Sequence, residues 1–213
     1  DKVLEYPNNK YSEDAMLMGA EMAYTAKNYE KALTIYKQLK DKAASMERRQ
    51  LAKTGMLRSA HMLGNGEEII LAATDLLADT KLAPELSNEA HYYRAKAYLD
   101  ASKTEAAMED LKVLAKDTRN VYGAEAKYKV AQIYFDGGQT DKAEQEVLNY
   151  IEVSTPHTYW LARSFVLLAD VYMKLGRNLD AKQYLLSLKQ NYQADDDIAG
   201  MIESRLEKLK IEN

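Results

Sequence analysis

Three histidines, 33 carboxylates and no cysteine are this chain's stock for acid–base, metal or nucleophilic chemistry. Such chemistry needs convergent groups, and the spacing offers none. His61, His91 and His157 are widely separated, and none lies in a ligand spacing such as His-Glu-x-x-His. They read as packing or surface residues. Without cysteine there is no thiolate nucleophile and no disulfide framework. The glycines of Gly64-Asn65-Gly66 and Gly137-Gly138 follow no strand, so a phosphate-cradling loop is not expected. Asp195-Asp196-Asp197 reads as favourable charge at a helix start rather than as a cation site. No catalytic residue, metal ligand or cofactor is expected, and the chain is not expected to be an enzyme.

Binding chemistry is more readable. The densest basic run, Arg48, Arg49 and Lys53, is little more than one helical turn and reads as a solvated helix face. With a net charge of −4 the chain carries no electrostatic footprint for nucleic acid. Met16, Met18, Met22, Met56 and Met62 read as core filler rather than as an adaptable groove. Hydrophobic content of 46% with 29% charged residues predicts a folded chain. No apolar run approaches the roughly 18–20 residues that span a bilayer. The chain opens at Asp1 with no initiator methionine and no signal peptide, which reads as a trimmed or processed product.

The elements that must position these residues are helices. Apolar residues return every three and four positions, and prolines number only three. A ladder of small residues gives the period: Ala32, Ile69 (a weaker rung), Ala107, Ala143 and Ala181 follow at steps of 37, 38, 36 and 38. A fixed period of this size marks stacked helix pairs. The boundaries are predicted as residues 12–45, 46–83, 84–119, 120–155 and 156–194, with a capping helix in 195–213. Residues 1–11 read as the tail of a preceding repeat and a linker, so a longer parent chain is expected. Asn65 with Glu68, and Ser102 with Glu105, have the spacing of helix caps. Pro84 and Pro156 suit first turns, while Gly64, Gly137 and Gly176 suit left-handed helix ends. Sixteen tyrosines against two phenylalanines predict helix seams with the hydroxyl kept wet.

The small-plus-aromatic pairs Ala95/Tyr98, Ala131/Tyr134 and Ala169/Tyr172 recur in the first helix of a pair. The pairs Ala32/Tyr36, Ala107/Leu111, Ala143/Val147 and Ala181/Leu185 recur in the second. This pattern resembles the tetratricopeptide repeat family, whose usual period is 34 residues. The resemblance covers nearly the whole chain, is closest in the last three repeats and departs in the second, where Leu57 and Ile69 replace small residues. Pro7-Asn8-Asn9-Lys10-Tyr11 resembles the step before a repeat in bacterial envelope members of the family, which implies periplasm or envelope ahead of cytoplasm. The implied fold is an all-α right-handed solenoid of five helix pairs with a C-terminal cap.

The resemblance also implies a non-catalytic scaffold that binds a protein or peptide on its concave face, along the first helix of each pair. Registered on the alanine ladder, that face gives Tyr24, Arg58, His61, Tyr92, Lys96, Tyr128, Gln132, Phe135, Arg163 and Asp170. Aromatics interleaved with Arg, Lys and Gln suit an extended peptide, held by stacking and main-chain hydrogen bonds. Three alternatives stand beside it: a face that binds nothing, a structural spacer that self-associates into a homo-oligomer, and a regulatory segment of an enzyme encoded upstream.

Overall fold

The computed structural model describes residues 10–211. The described residues form eleven α-helices and no strand. The chain divides between Asp110 and Leu111 into two compact units. The first holds α1 (Lys10–Thr25), α2 (Tyr29–Lys42), α3 (Met46–Leu63), α4 (Gly66–Leu77) and α5 (Pro84–Asp100). The second holds α7 (Val121–Asp136), α8 (Thr140–Glu152), α9 (Thr158–Lys174), α10 (Asn178–Asn191) and α11 (Ile198–Ile211). The division falls within α6 (Thr104–Leu114). Of the expected tail and linker at residues 1–11, Lys10 and Tyr11 instead begin α1, and the remainder, with the last two residues of the capping segment, lies outside the described residues.

Each helix pair turns in the same way. Lys27, Gly64, Ser102, Gly138 and Gly176 all have positive φ, between 57° and 73°. Each stands five residues before a rung of the ladder. At each one the next residue donates its N–H back five positions, as Asn28 does to Ala23 and Arg177 to Tyr172. This double closure satisfies the last carbonyls of one helix and aims the chain into the next. Gly137 is right-handed, at φ −79°, and its neighbour Gly138 takes the left-handed place. Ser102 is likewise a left-handed helix end and not the cap of α6. The Asn65 cap is present, its Oδ1 accepting from the Glu68 N–H.

The starts of α7, α9 and α11 also differ from the sequence reading. The apolar pattern predicts the first helix of the fourth repeat over Ala124–Asp136, but α7 begins at Val121, because Asn120 caps it by accepting from the Gly123 N–H. A Cβ on Gly123 would sit 1.9 Å from the Asp117 carbonyl oxygen, so that glycine permits a close crossing instead of a break. Pro156 lies outside α9. Thr155 Oγ1 donates to the Thr118 carbonyl and accepts from the His157 N–H, which bends the chain before the helix. α11 starts at Ile198, whose N–H is received by Asp196 Oδ1. That bond is the favourable charge at a helix start expected of the aspartates.

All five rungs are buried, Ala32, Ala107, Ala143 and Ala181 completely. Small residues there let paired helices approach until side chains interlock at interior density. In the first unit, α1 packs on α2, α2 on α3, α3 on α4 and α4 on α5, around Ala20, Leu57, Ala60, Ala73, Leu76 and Ala90. In the second, α9 is central. It packs on α7, α8, α10 and α11, around Val166, Leu168, Ala169, Leu185 and Ile202. The tyrosines are not confined to wet seams: Tyr36, Tyr128, Tyr150 and Tyr172 are buried. Met16 and Met56 fill the core as expected, but Met18, Met22 and Met62 are exposed. The periodicity that makes a helix amphipathic does not say which stripe of an Ala- and Met-rich helix faces inward.

Candidate interaction faces

In the N-terminal unit the first helices of successive pairs, α1, α3 and α5, touch one another. Arg58 on α3 reaches Glu89 on α5 with Nε and Nη2, both at 2.8 Å, a bidentate pair with half the Arg58 side chain in water. Arg58 is within electrostatic reach of Tyr24 and Tyr93. Tyr24 meets Tyr29 edge-on at 5.2 Å. His61 stacks on Tyr93 with ring centroids 3.9 Å apart and planes 13° from parallel. Burial first, and Lys96 second, hold the His61 imidazole below its ordinary pKa, so it stays neutral at pH 7 and stacks as an uncharged ring. The Lys96 ammonium stands 5.4 Å from the Tyr92 ring centre. His61, Tyr93, Lys96, Asp100, Lys103 and the Gly64–Gly66 turn line an open groove of about 770 Å³. The sequence reading points to Tyr92 of the Tyr92-Tyr93 pair, yet Tyr93 is the groove residue. Nothing in two adjacent tyrosines of one helix distinguishes them.

In the C-terminal unit the expected residues form a polar chain. Tyr128 on α7 donates from its hydroxyl to Gln132 Oε1 at 2.7 Å, and Gln132 Nε2 donates to Asp136 Oδ1 at 2.9 Å. Arg163 on α9 donates to the Tyr159 hydroxyl at 2.8 Å and to Asp197 Oδ2 at 3.0 Å, with a longer 3.5 Å contact to the Tyr128 hydroxyl. Tyr128 is only 5% exposed, so its ring is no stacking platform for a ligand and packs internally against Trp160 and Arg163. Phe135 is partly buried beneath Lys174, whose ammonium is 5.0 Å from the ring centre. Asp170 is engaged internally, by a two-pronged contact from Arg205 of the capping helix at 2.9 and 2.7 Å. Tyr159, Trp160 and Asp197 join this network without having been expected from the sequence. The i, i+4 spacing of Tyr159 and Arg163 was the available signal, whereas Asp197 arrives from a separate element.

Two charged clusters lie elsewhere. Asp110, almost fully buried, receives His91 Nδ1 at 2.7 Å and both Nε and Nη2 of Arg94 at 2.9 and 2.7 Å. Burial works to raise the Asp110 pKa, but these hydrogen bonds and charges outweigh it and hold the carboxyl below its ordinary value. Of the basic run only Arg49 is exposed. Lys53 is buried between Asp79 at 2.6 Å and Asp75 at 2.9 Å, Arg48 pairs with Asp14 at 2.5 Å, and Arg49 donates to the Ala43 carbonyl. His157 contacts the Arg119 carbonyl. Among the described residues no group of three His, Asp or Glu side chains is placed to hold a metal ion. No described helix is long and apolar enough to cross a membrane.

Residues 14–45 match the family model of the tetratricopeptide repeat. A crystal structure of nearly identical TPR-like repeats from Podosopora anserina is 17% identical and superposes with a TM-score of 0.55, over 83% of this chain and 92% of that one. The fold is that of tetratricopeptide-repeat proteins. A TPR protein from Thermus thermophilus also matches, at 19% identity over 91% of this chain and 98% of its own, with a TM-score of 0.48. No curated protein matches. Tetratricopeptide repeats generally serve as protein–protein interaction scaffolds. The left-handed turn and the buried rung recur even in the second repeat, whose sequence departs most from the family pattern.

Proposed function

We propose that the chain is a non-catalytic scaffold that holds a protein or peptide against the first helices of its repeats, with the N-terminal groove as one contact point. The observation that carries this is the His61–Tyr93 stack beside Lys96, at the mouth of an open groove. A flat aromatic pair offers apolar area at low entropic cost, and the flanking ammonium and turn amides offer direction. Arg58 and Tyr24 extend the same helix face toward α1. An extended peptide needs this mixture, since its affinity comes from stacking and its register from hydrogen bonds.

The test is site-specific photo-cross-linking in the full chain. A photoreactive residue at exposed Lys96 is compared with one at Gln38 on α2, a second helix of its pair. Extract of the native cell should give discrete adducts from position 96, and these should fade when His61→Ala is added. Equal adducts from both positions, or none from position 96, would refute the groove as a contact point.

A further inference from the structure

We propose that Arg163 is the anchor for an acidic side chain of the partner, and that Asp197 occupies that place in the free protein as an internal surrogate. This deepens the scaffold reading for the C-terminal unit and rests on it. The comparison that points there is among the arginines. Arg58, Arg94 and Arg205 each direct Nε and a terminal nitrogen to the two oxygens of one carboxylate. Arg163 meets a single oxygen of Asp197, its Nη2 has only the 3.5 Å contact to Tyr128, and its buried Nε has no hydrogen-bond partner. A guanidinium fork matched to a carboxylate is therefore held in place and only partly used.

The setting favours a ligand over a fixed pair. The Arg163 guanidinium lies 5.2 Å from the Tyr128 ring centre and 5.7 Å from that of Tyr159, which fix its orientation and strip it of water. Its side chain is 23% exposed, so its open end still meets solvent. Asp197 is 54% exposed and stands on the short segment before α11. A single-point contact from a half-solvated carboxylate is a weak tie, easily exchanged. Asp170 is neutralised by Arg205, which leaves Asp197 as the carboxylate that meets Arg163. A partner glutamate that meets both terminal nitrogens would replace Asp197 with better geometry. The contact thus sets a threshold: strongly acidic segments displace it and neutral ones do not.

Trp160, the chain's single tryptophan, reports on this place, with its ring 5.7 Å from Tyr128 and 5.0 Å from Tyr159. The probe is an acetylated, amidated pentaglutamate, titrated into the full chain while Trp160 fluorescence is followed. Acetylated pentaalanine with a free C-terminus serves as a second arm, since it offers only a terminal carboxylate. Asp197→Asn keeps the shape of the surrogate without its charge, and should bind pentaglutamate about fivefold tighter than wild type or better. Adding Arg163→Gln should abolish that binding, and Arg163→Lys, which keeps charge without the fork, should restore only part. Binding that is equal in wild type and Asp197→Asn, or that survives Arg163→Gln, overturns the proposal. Saturation by pentaalanine at the same concentration as pentaglutamate overturns the choice of an acidic side chain. No response in any variant also overturns the Arg163 assignment, while the Lys96 cross-link, in the other unit, stands or falls separately.

Discussion

Replacing Lys27 and Ser102 with glycine should stabilise the N-terminal unit, although both substitutions delete a side chain. The two residues stand at φ 60° and 57° in the turn where the other three repeats have glycine. A left-handed backbone costs an L residue about 1–2 kcal/mol, and glycine escapes that cost. Against this, the greater freedom of glycine in the unfolded chain costs about 0.5–1 kcal/mol. The difference leaves a net gain of about 0.5–1 kcal/mol per site. Lys27 also places a cation at the C-terminal end of α1, worth about 0.3 kcal/mol that glycine would forfeit. Ser102→Gly should therefore gain more than Lys27→Gly. Together they should add about 1–1.5 kcal/mol, which in a unit of this size raises the melting temperature by about 4–10 °C. Thermal unfolding followed by circular dichroism reads the shift, and Gly64→Ala in the same turn geometry should lower the melting temperature by a comparable amount. If both glycine variants melt no higher than wild type while Gly64→Ala costs nothing, the turns do not carry the left-handed geometry on which the repeat register depends.

Asp110→Asn should destabilise the N-terminal unit by about 3 kcal/mol, because it leaves Arg94 and His91 facing an uncharged group in a nearly buried site. In the wild type the Asp110 pKa is depressed on folding, so its contribution is complete above the unfolded value near 3.8 and is lost as pH falls through the lower native value. Denaturant titrations from about pH 7 to about pH 2 should show that acid loss in wild type and less of it in the variant. An identical acid slope in both would remove Asp110 as its source. Gly123→Ala should be the most damaging single methyl in the C-terminal unit, since the new carbon meets backbone oxygen and not a side chain that can rotate away. Its cost should exceed about 3 kcal/mol, at the upper end for overpacking, and a melting temperature equal to that of wild type would show that the crossing is looser than described.

The sequence made the frame legible because the frame is periodic. A rung residue is buried in every repeat, and a fixed number of positions earlier the chain must turn left-handed, so five imperfect copies vote for one register. The same periodicity explains which residues deceive. Ser102 beside Glu105 has the composition of a cap, yet the turn register at that position demands a helix end, and the register wins because a whole helix pair depends on it. The role of Gly123 is not legible, since a glycine's reason lies in what approaches it and the approaching carbonyl is not a pattern in the chain. Met18 and Met22 lie outside the core because apolar character alone does not decide burial.

The candidate site was legible only as a list of helix positions. What those positions do depends on residues from other elements that the period does not index. Asp170 falls on the expected face but is claimed by Arg205 of the capping helix, outside the repeat pattern. Tyr128 is expected there too, but its ring is buried against Trp160 and Arg163 and offers no open face. Arg163 is the converse, because the buried network that includes Tyr128 fixes its orientation, and half-exposed Asp197 meets one of its terminal nitrogens as an acid. A repeat protein reuses one backbone recipe, so its specificity must come from what departs from the recipe. In this chain Arg163, met by Asp197 from the segment before α11, is such a departure.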